Sequence, residues 1–205
     1  MKIKNLSHAA MKATLQKIAS SKKLETRWLN TLSLLEYIGA RKISKTVCLG
    51  HPSLEIMQHY ADETRHAYIF RKLSANLAGG KTAGYLCPDE ATSYFQMLDT
   101  FVAEWLSEIT GKDDPYQNYL FVTCMIERRA MKMYPLYMAS TKNSGVKNEL
   151  QEIIKEEACH RDIIELKVKE ILKKNKIQNM NACLKVEEDL FKLFATAVER
   201  EIKLH

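Results

Sequence analysis

The chain has 205 residues, of which 46% are hydrophobic and 27% are charged, and these proportions exclude a disordered polypeptide. Only 7 glycines and 4 prolines are present, too few for the closely spaced turns of an all-β chain. No apolar run approaches the roughly 20 residues that span a bilayer, and the N-terminus lacks the apolar stretch of a secretory signal. We therefore expect a helical, cytoplasmic protein that does not contact membranes.

The cysteines and the basic charge lead to two further expectations. Cys48, Cys87, Cys124, Cys159 and Cys183 are odd in number and include no Cys-x-x-Cys pair, which predicts reduced and mostly buried thiols. The formal net charge of +6 comes from a diffuse surplus of lysine. Such a surplus is typical of a solvated surface, and it permits a nucleic-acid partner without requiring one.

Hydrophobic residues that recur with the 3.6-residue period predict seven helices and almost no strand. We expect Asp89 or Thr92 to cap the fourth helix, Asp114 to cap the fifth, and Pro135 to kink or break that fifth helix. The predicted ranges, in chain order, are about 7–21, 25–46, 53–78, 91–110, 115–141, 146–174 and 179–203.

Four of these helices are long enough to form a bundle, and their connections suggest how they are arranged. A short loop joins the first two long helices, another joins the last two, and some 36 residues with a helix of their own separate the pairs. Two hairpins linked by a long crossover form a known bundle topology. We expect a single domain over residues 1–205, with the bundle at 25–174 and flanking helices at 7–21 and 179–203.

Each long helix has one glutamate on its apolar face, where a charged side chain is unexpected. On two of the helices this glutamate begins a Glu-x-x-His motif, which places a carboxylate and an imidazole one turn apart on the same face. A buried, unpaired carboxylate costs several kcal/mol, so four of them in one core require cations. The residues concerned are Glu36, Glu63, His66, Glu127, Glu157 and His160.

The positions of these glutamates along their helices place them at one height in the bundle. Glu36 lies about 10 residues before the end of its helix and Glu63 about 11 residues after the start of the next, so both lie about 15 Å from the shared turn. Four carboxylates balance the charge of two divalent cations. Mixed carboxylate and imidazole ligands suit iron or manganese.

The pattern Glu36 … Glu63-Thr64-Arg65-His66 … Glu127 … Glu157-Ala158-Cys159-His160 resembles the ferritin-like di-iron carboxylate superfamily over roughly residues 25–174. That superfamily includes bacterioferritin, rubrerythrin and several di-iron oxygenases. The resemblance implies an all-α, ferritin-like four-helix bundle with a long crossover that binds two iron ions. Manganese is the alternative metal, and zinc would be an adventitious occupant. The implied ligands are Glu63 and Glu157 as bridges, Glu36 and Glu127 as terminal carboxylates, and His66 and His160 with one iron each.

The resemblance also suggests roles for residues next to the ligands. Asp62 and Glu156 would each orient the histidine of the opposite motif. His59 lies one turn before Glu63 and is either a third imidazole ligand or a hydrogen-bonded neighbour. Tyr60, beside it, is expected on the core face close to the site.

We therefore expect a di-iron oxidoreductase that activates O2 or peroxide, draws electrons from an external donor and oxidises a small organic substrate. An apolar path to the metals would be lined by residues such as Leu32, Tyr60, Ala67 and Met131. One alternative is iron handling by a ferroxidase or peroxidase of the ferritin or rubrerythrin type. Another is a tRNA-hydroxylating di-iron monooxygenase. The pattern is compatible with a homodimer.

Overall fold

The computed structural model of the protein describes residues 8–47, 50–81 and 83–204. Within these ranges the chain forms seven α-helices and no β-strand, so the prediction of an all-α protein is confirmed. The predicted start of the first helix at residue 7 lies outside the described residues. The helices are α1 (His8–Ala19), α2 (Lys22–Val47), α3 (Leu54–Leu77), α4 (Pro88–Thr110), α5 (Pro115–Ser140), α6 (Ser144–Lys174) and α7 (Asn181–Lys203).

Short polar side chains cap the two helices of the C-terminal hairpin. Asp114 accepts hydrogen bonds from the backbone N–H groups of Tyr116 and Gln117 at the start of α5, as predicted. Asn143 accepts one from the N–H of Val146 at the start of α6. These bonds satisfy N–H groups that have no partner within the helix, and they fix where each helix begins.

The start of α4 differs from the prediction, because neither Asp89 nor Thr92 caps it. The helix begins at Pro88, after Cys87, whose φ of 48° lies in the left-handed region. Glu201 of α7 accepts hydrogen bonds of 2.9 Å from both the backbone N–H and the thiol of Cys87. A partner more than a hundred residues away thus stabilises this helix start, in addition to the local signal of Pro88 at the first helical position.

Pro135 does not break α5, so that part of the prediction is wrong. The helix is continuous from Pro115 to Ser140, although a proline removes one backbone hydrogen bond from a helix interior. Tyr134 and Tyr137, on either side of Pro135, are both buried, and α5 packs against α1, α2, α4 and α6. These tertiary contacts hold the helix together across the proline.

The four long helices associate as two hairpins. α2 packs along α3, and α5 packs along α6, as expected for helices joined by short loops. The hairpins meet through contacts of α2 with α5 and of α3 with α6. α1 and α4 each pack against both α2 and α5, and α7 packs on α1 and α4, so these three helices cover the side of the bundle formed by α2 and α5.

Side chains of α2 hold the loop between α3 and α4, which begins the long crossover. Arg27 and Asn30 donate hydrogen bonds to the backbone carbonyls of Tyr85 and Ala83. Thr31 bonds to both the carbonyl and the N–H of Leu86 at 2.8 Å. Residues 83–86, at the start of the crossover, thus lie against the N-terminal half of α2, before Glu36.

Among the described cysteines, Cys87, Cys124 and Cys183 are buried free thiols. Cys159 is exposed, so the expectation of mostly buried thiols holds for three of the four described cysteines. None of the helices in the described ranges combines the length and the apolarity needed to cross a membrane. Cys48 lies outside the described residues.

Candidate metal centre

The four glutamates that interrupt the apolar faces of the long helices come together in the bundle interior. Glu36, Glu63, Glu127 and Glu157 are 7%, 7%, 2% and 1% exposed, respectively. Their carboxylates, with three imidazoles, form two groups in which all donor atoms lie within 4.8 Å of one another. One group contains Glu36, Glu63, His66 and Glu157, and the other contains His59, Glu63, Glu127 and His160.

The histidines of the two Glu-x-x-His motifs are held by a crosswise pair of acids. Nε2 of His66 on α3 lies 2.7 Å from Glu156 on α6, and Nε2 of His160 on α6 lies 3.2 Å from Asp62 on α3. Each acid directly precedes the glutamate of its own motif, and it contacts the histidine of the other motif. Hydrogen bonds of this kind fix the tautomer and the orientation of an imidazole.

One arginine joins the two orienting acids. Arg65 donates hydrogen bonds of 2.8 Å to both Asp62 and Glu156, which places a single cation between the two halves of the cluster. Gln58 adds two contacts of 3.1 Å to the Asp62 carboxylate. The Arg65 side chain is 41% exposed, so it binds these acids from the solvent side and leaves the interior of the cluster free.

His59 lies inside the cluster, and its ring is 4% exposed. Its Nε2 is 3.2 Å from a carboxylate oxygen of Glu63 and 3.2 Å from one of Glu127, while its Nδ1 is 2.8 Å from the hydroxyl of Tyr119. The sequence left open whether His59 is a ligand or a neighbour. The structure brings its inner nitrogen among the carboxylates.

Two tyrosines of α5 belong to the site although sequence reasoning did not identify them. Tyr134 donates a hydrogen bond to Glu36, and Tyr119 contacts His59. They lie seven residues after and eight residues before Glu127, so a search of the same helix face for polar side chains would have found them.

Tyr60 is not part of the site, which corrects the expectation that it lies beside the ligands on the core face. Its side chain is 38% exposed, and Tyr37 on the neighbouring helix is exposed as well. Tyr60 directly follows His59 and Tyr37 directly follows Glu36, so each tyrosine is one position along the helix from a buried residue of the cluster. That offset of about 100° turns them away from the bundle interior.

The carboxylates and imidazoles perturb one another's ionisation strongly. Burial, reinforced by Glu63 and Glu157, raises the pKa of Glu36 well above its usual value. Burial and Glu157 raise the pKa of Glu127 in the same way. Burial also opposes the ionisation of Glu157, but its interactions with Glu127 above all, and with His160 and His66, hold its pKa well below the usual value. Burial by itself would lower the pKa of His66, yet Glu157 and Glu36 raise it to about 10. Protons on Glu36, Glu127 and His66 therefore offset the charge of the crowded carboxylates, and a bound cation would replace them.

Three buried atoms of the cluster test whether these residues fit a metal. Within the described residues, three atoms of the cluster neither donate nor accept a hydrogen bond: Nδ1 of His66, Nδ1 of His160 and Oε1 of Glu157. The first and third are 2.9 Å apart but are not aligned as a hydrogen bond. Orphaned polar atoms are rare in protein interiors. All three are donor types that bind iron or manganese, so the residues fit a metal centre.

Two small cavities adjoin the cluster. One, of about 40 Å³, is lined by all four glutamates and by apolar side chains that include Leu35, Phe95 and Ala130. The other, of about 30 Å³, is lined by His59 and His160. Of the residues expected along the access path, Leu32, Tyr60 and Ala67 line neither these cavities nor the larger groove outside them, which corrects that part of the prediction, whereas Met131 lines the groove.

A larger groove lies outside the carboxylate cavity and is separated from it by a buried ion pair. The groove has a volume of about 810 Å³ and shares Arg129 and Phe191 with the inner cavity. Arg129 donates two hydrogen bonds, of 2.8 and 2.7 Å, to Glu187 of α7 and lies 4.2 Å above the Phe191 ring. Tyr94 also donates to Glu187, at 2.7 Å. These four side chains form a partition between the groove and the glutamates.

Comparison of the chain with protein-family models, with curated proteins and with solved structures finds no match. The chemistry of the centre therefore follows from the cluster itself. Its distinctive features are two adjoining groups of buried donors, three oriented imidazoles and a partitioned route from the surface.

Proposed function

We propose that the chain is a ferritin-like di-metal carboxylate oxidoreductase that holds two iron ions, or manganese in their place, and acts on O2 or peroxide. The observation that carries the proposal is the pair of buried four-residue donor groups that share Glu63. Two hairpins joined by a long crossover, with a Glu-x-x-His motif in each hairpin, support the ferritin-like assignment. Redox-active ions at the two positions would supply electrons for the reduction of O2 or peroxide.

The ligand roles follow from which donor atoms each residue approaches. Glu63 belongs to both groups and would bridge the two ions. Glu157 lies 2.9 Å from Nδ1 of His66 and 3.7 Å from Nδ1 of His160, which suits a second bridge. The terminal ligands would be Glu36 and His66 at one position and Glu127 and His160 at the other.

The inner cavity limits what reaches the metals directly. Its 40 Å³ would admit O2, peroxide or a single water, whereas sites for drug-sized ligands are commonly about 300–1,000 Å³. An organic substrate would therefore bind in the outer groove and would require movement of the partition formed by Arg129 and Glu187. The apolar side chains of the inner cavity would keep bulk water from the reacting molecule.

The size of the inner cavity also favours a second candidate function, ferroxidase or peroxidase chemistry of the ferritin or rubrerythrin kind. Such chemistry needs only a small oxidant at the metals and no organic substrate. Both candidates require the same six ligands, so they differ only in the steps after O2 or peroxide has been reduced.

Metal analysis of variants tests the shared proposal. We expect about two metal ions per chain in the native protein and near-total loss in Glu63→Ala, because that residue serves both positions. Glu170→Ala, which removes an exposed glutamate of α6, is the matched control and should retain both ions. Unchanged metal content in Glu63→Ala would refute the di-metal centre.

Aerobic loading with excess Fe(II) separates the two candidates. An oxidoreductase for organic substrates should stop near two irons per chain and remain a small oligomer. Retention of hundreds of irons in a large hollow particle would favour the ferritin-type function instead. Iron content and particle size, measured on one sample, give both answers.

A further inference from the structure

The three buried histidines of the cluster share one arrangement, in which one ring nitrogen is held from outside and the other faces the carboxylates. The outer partner is Glu156 for His66, Asp62 for His160 and the Tyr119 hydroxyl for His59. An imidazole that binds a metal typically donates its second nitrogen to such a partner. By this criterion His59 is prepared for ligation as fully as the two histidines of the motifs.

Inclusion of His59 makes the two donor groups chemically unlike. One group then offers two imidazoles, from His59 and His160, with the carboxylates of Glu63 and Glu127. The other offers a single imidazole, from His66, with three carboxylates. The rings of His59 and His160 lie close together, with centroids 4.4 Å apart, so both imidazoles serve the same position.

Unlike donors select unlike metals. Imidazole nitrogen suits the later divalent transition metals, whereas carboxylate oxygen suits harder ions such as Mn(II). We propose that His59 is a ligand and that the centre discriminates between its two positions, with a later transition metal preferred beside His59 and His160 and a harder ion tolerated beside His66. This inference rests on the proposed di-metal function and extends it to the order and identity of the metals.

A purely structural role for His59 makes a different prediction. The contacts of 3.2 Å to Glu63 and Glu127 are also compatible with hydrogen bonds from an imidazole that never binds a metal. In that case each position would have one imidazole, from His66 or His160. The two positions would then release Mn(II) to a competing metal at similar concentrations.

The test is the displacement of Mn(II) by Co(II) in the full-length protein loaded with two manganese ions under anaerobic conditions. Metal content and the visible absorption of bound Co(II) are measured as Co(II) is added. We expect two steps, with one manganese displaced at a Co(II) concentration about tenfold or more below that needed for the second. Displacement of both in one step would overturn the inference.

Variants assign the first step to His59. His59→Gln should bring the two steps together by about tenfold and change the absorption of the first Co(II), while two ions are still bound. Tyr119→Phe, which keeps the imidazole but removes its outer partner, should produce a smaller shift in the same direction. His51→Gln, at an exposed histidine outside the cluster, is the matched control and should behave as the native protein.

The outcomes separate failure of the inference from failure of the proposed function. Native displacement behaviour in both His59→Gln and Tyr119→Phe would overturn the role of His59 and leave the di-metal centre intact. Anomalous X-ray scattering of crystals with mixed metals should locate Co(II) beside His59, and Co(II) beside His66 would equally overturn the inference. A native protein that binds no metal would refute the proposed function itself.

Discussion

Replacement of Gly39 by alanine should raise the stability of the metal-free protein and weaken its metal binding. Gly39 lies in α2, one turn after Glu36, and faces the shared carboxylate of the cluster. A Cβ atom at this position would stand 2.7 Å from Oε2 of Glu63 and 3.7 Å from its Cδ. The carboxylate of Glu63 thus occupies space that any other side chain at position 39 would fill.

Two opposing effects set the expected magnitude. Ordinary contacts of a Cβ atom begin at 3.4 Å, so the Glu63 oxygen must retreat by about 0.7 Å. Ligand distances in metal sites tolerate only about 0.2 Å, and both donor groups use Glu63, so we expect metal affinity to fall by at least about tenfold. A helix-interior glycine costs about 0.5–1 kcal/mol relative to alanine, and the metal-free protein should gain up to that amount.

The assay combines chelator competition for metal affinity with urea unfolding of the metal-free protein. The control is the same substitution in Glu63→Ala, where the obstructing carboxylate is absent and Gly39→Ala should only stabilise the helix. Native metal affinity in Gly39→Ala would refute the reasoning, because it would mean that Glu63 can move aside without loss of ligation.

Three further predictions concern groups outside the ligand set. Burial raises the pKa of Glu25, so the folded state holds this proton more tightly than the unfolded chain, and stability falls as pH rises past the usual value of 4.5. Glu25→Gln should therefore raise the melting temperature at neutral pH and have no effect at about pH 3, where the carboxyl is protonated in both states; an equal gain at both pH values would contradict this. In thiol titration of the folded protein at about pH 8, Cys159→Ser should remove one fast-reacting equivalent and Cys183→Ser none, because burial raises the pKa of Cys183 to about 12. If Cys159→Ser removed no fast-reacting equivalent, the exposure of Cys159 would be contradicted. Glu187→Ala leaves Arg129 buried and unpaired and should lower the free energy of unfolding by about 3–5 kcal/mol in urea. Replacement of both residues by methionine together with Tyr94→Phe, which removes the buried hydroxyl that donates to Glu187, should recover most of that loss, and failure to do so would assign the effect to packing.

Local rules predicted the helices, and they predicted a helix end well where neighbouring residues fix it. Asp114 illustrates this, since its carboxylate caps N–H groups two and three residues further along the chain. Cys87 illustrates the opposite case, because its partner Glu201 comes from the last helix. Pro135 failed as a helix breaker because propensity is outweighed where a helix packs on several sides.

Helical periodicity likewise identified the residues that enter the cluster but not all of their partners. Glu36 and Glu127 were predictable because a carboxylate on an apolar stripe is conspicuous. The inner position of His59 was not predictable, because it depends on the distance between α3 and α5. The spacing of residues within one helix does not fix that distance. Tyr134 was overlooked for a related reason, since a buried tyrosine is common and its hydroxyl partner comes from another helix.

Within the described part of the chain, the two donor groups take no residue from α1, α4 or α7. Residues of α1 and α7 nevertheless line one side of the outer groove. Residues of α4 and α7 supply most of the partition between that groove and the inner cavity. The ligands and one wall of the surroundings that would select a substrate are thus encoded in separate stretches of the chain. Substitutions at groove-facing positions of α7 other than Glu187 would leave the proposed ligands unchanged, so the preference for the proposed substrate could be altered while the metal-binding residues stay the same. Libraries confined to the groove-facing positions of α1 and α7 would be the natural starting point for redesign.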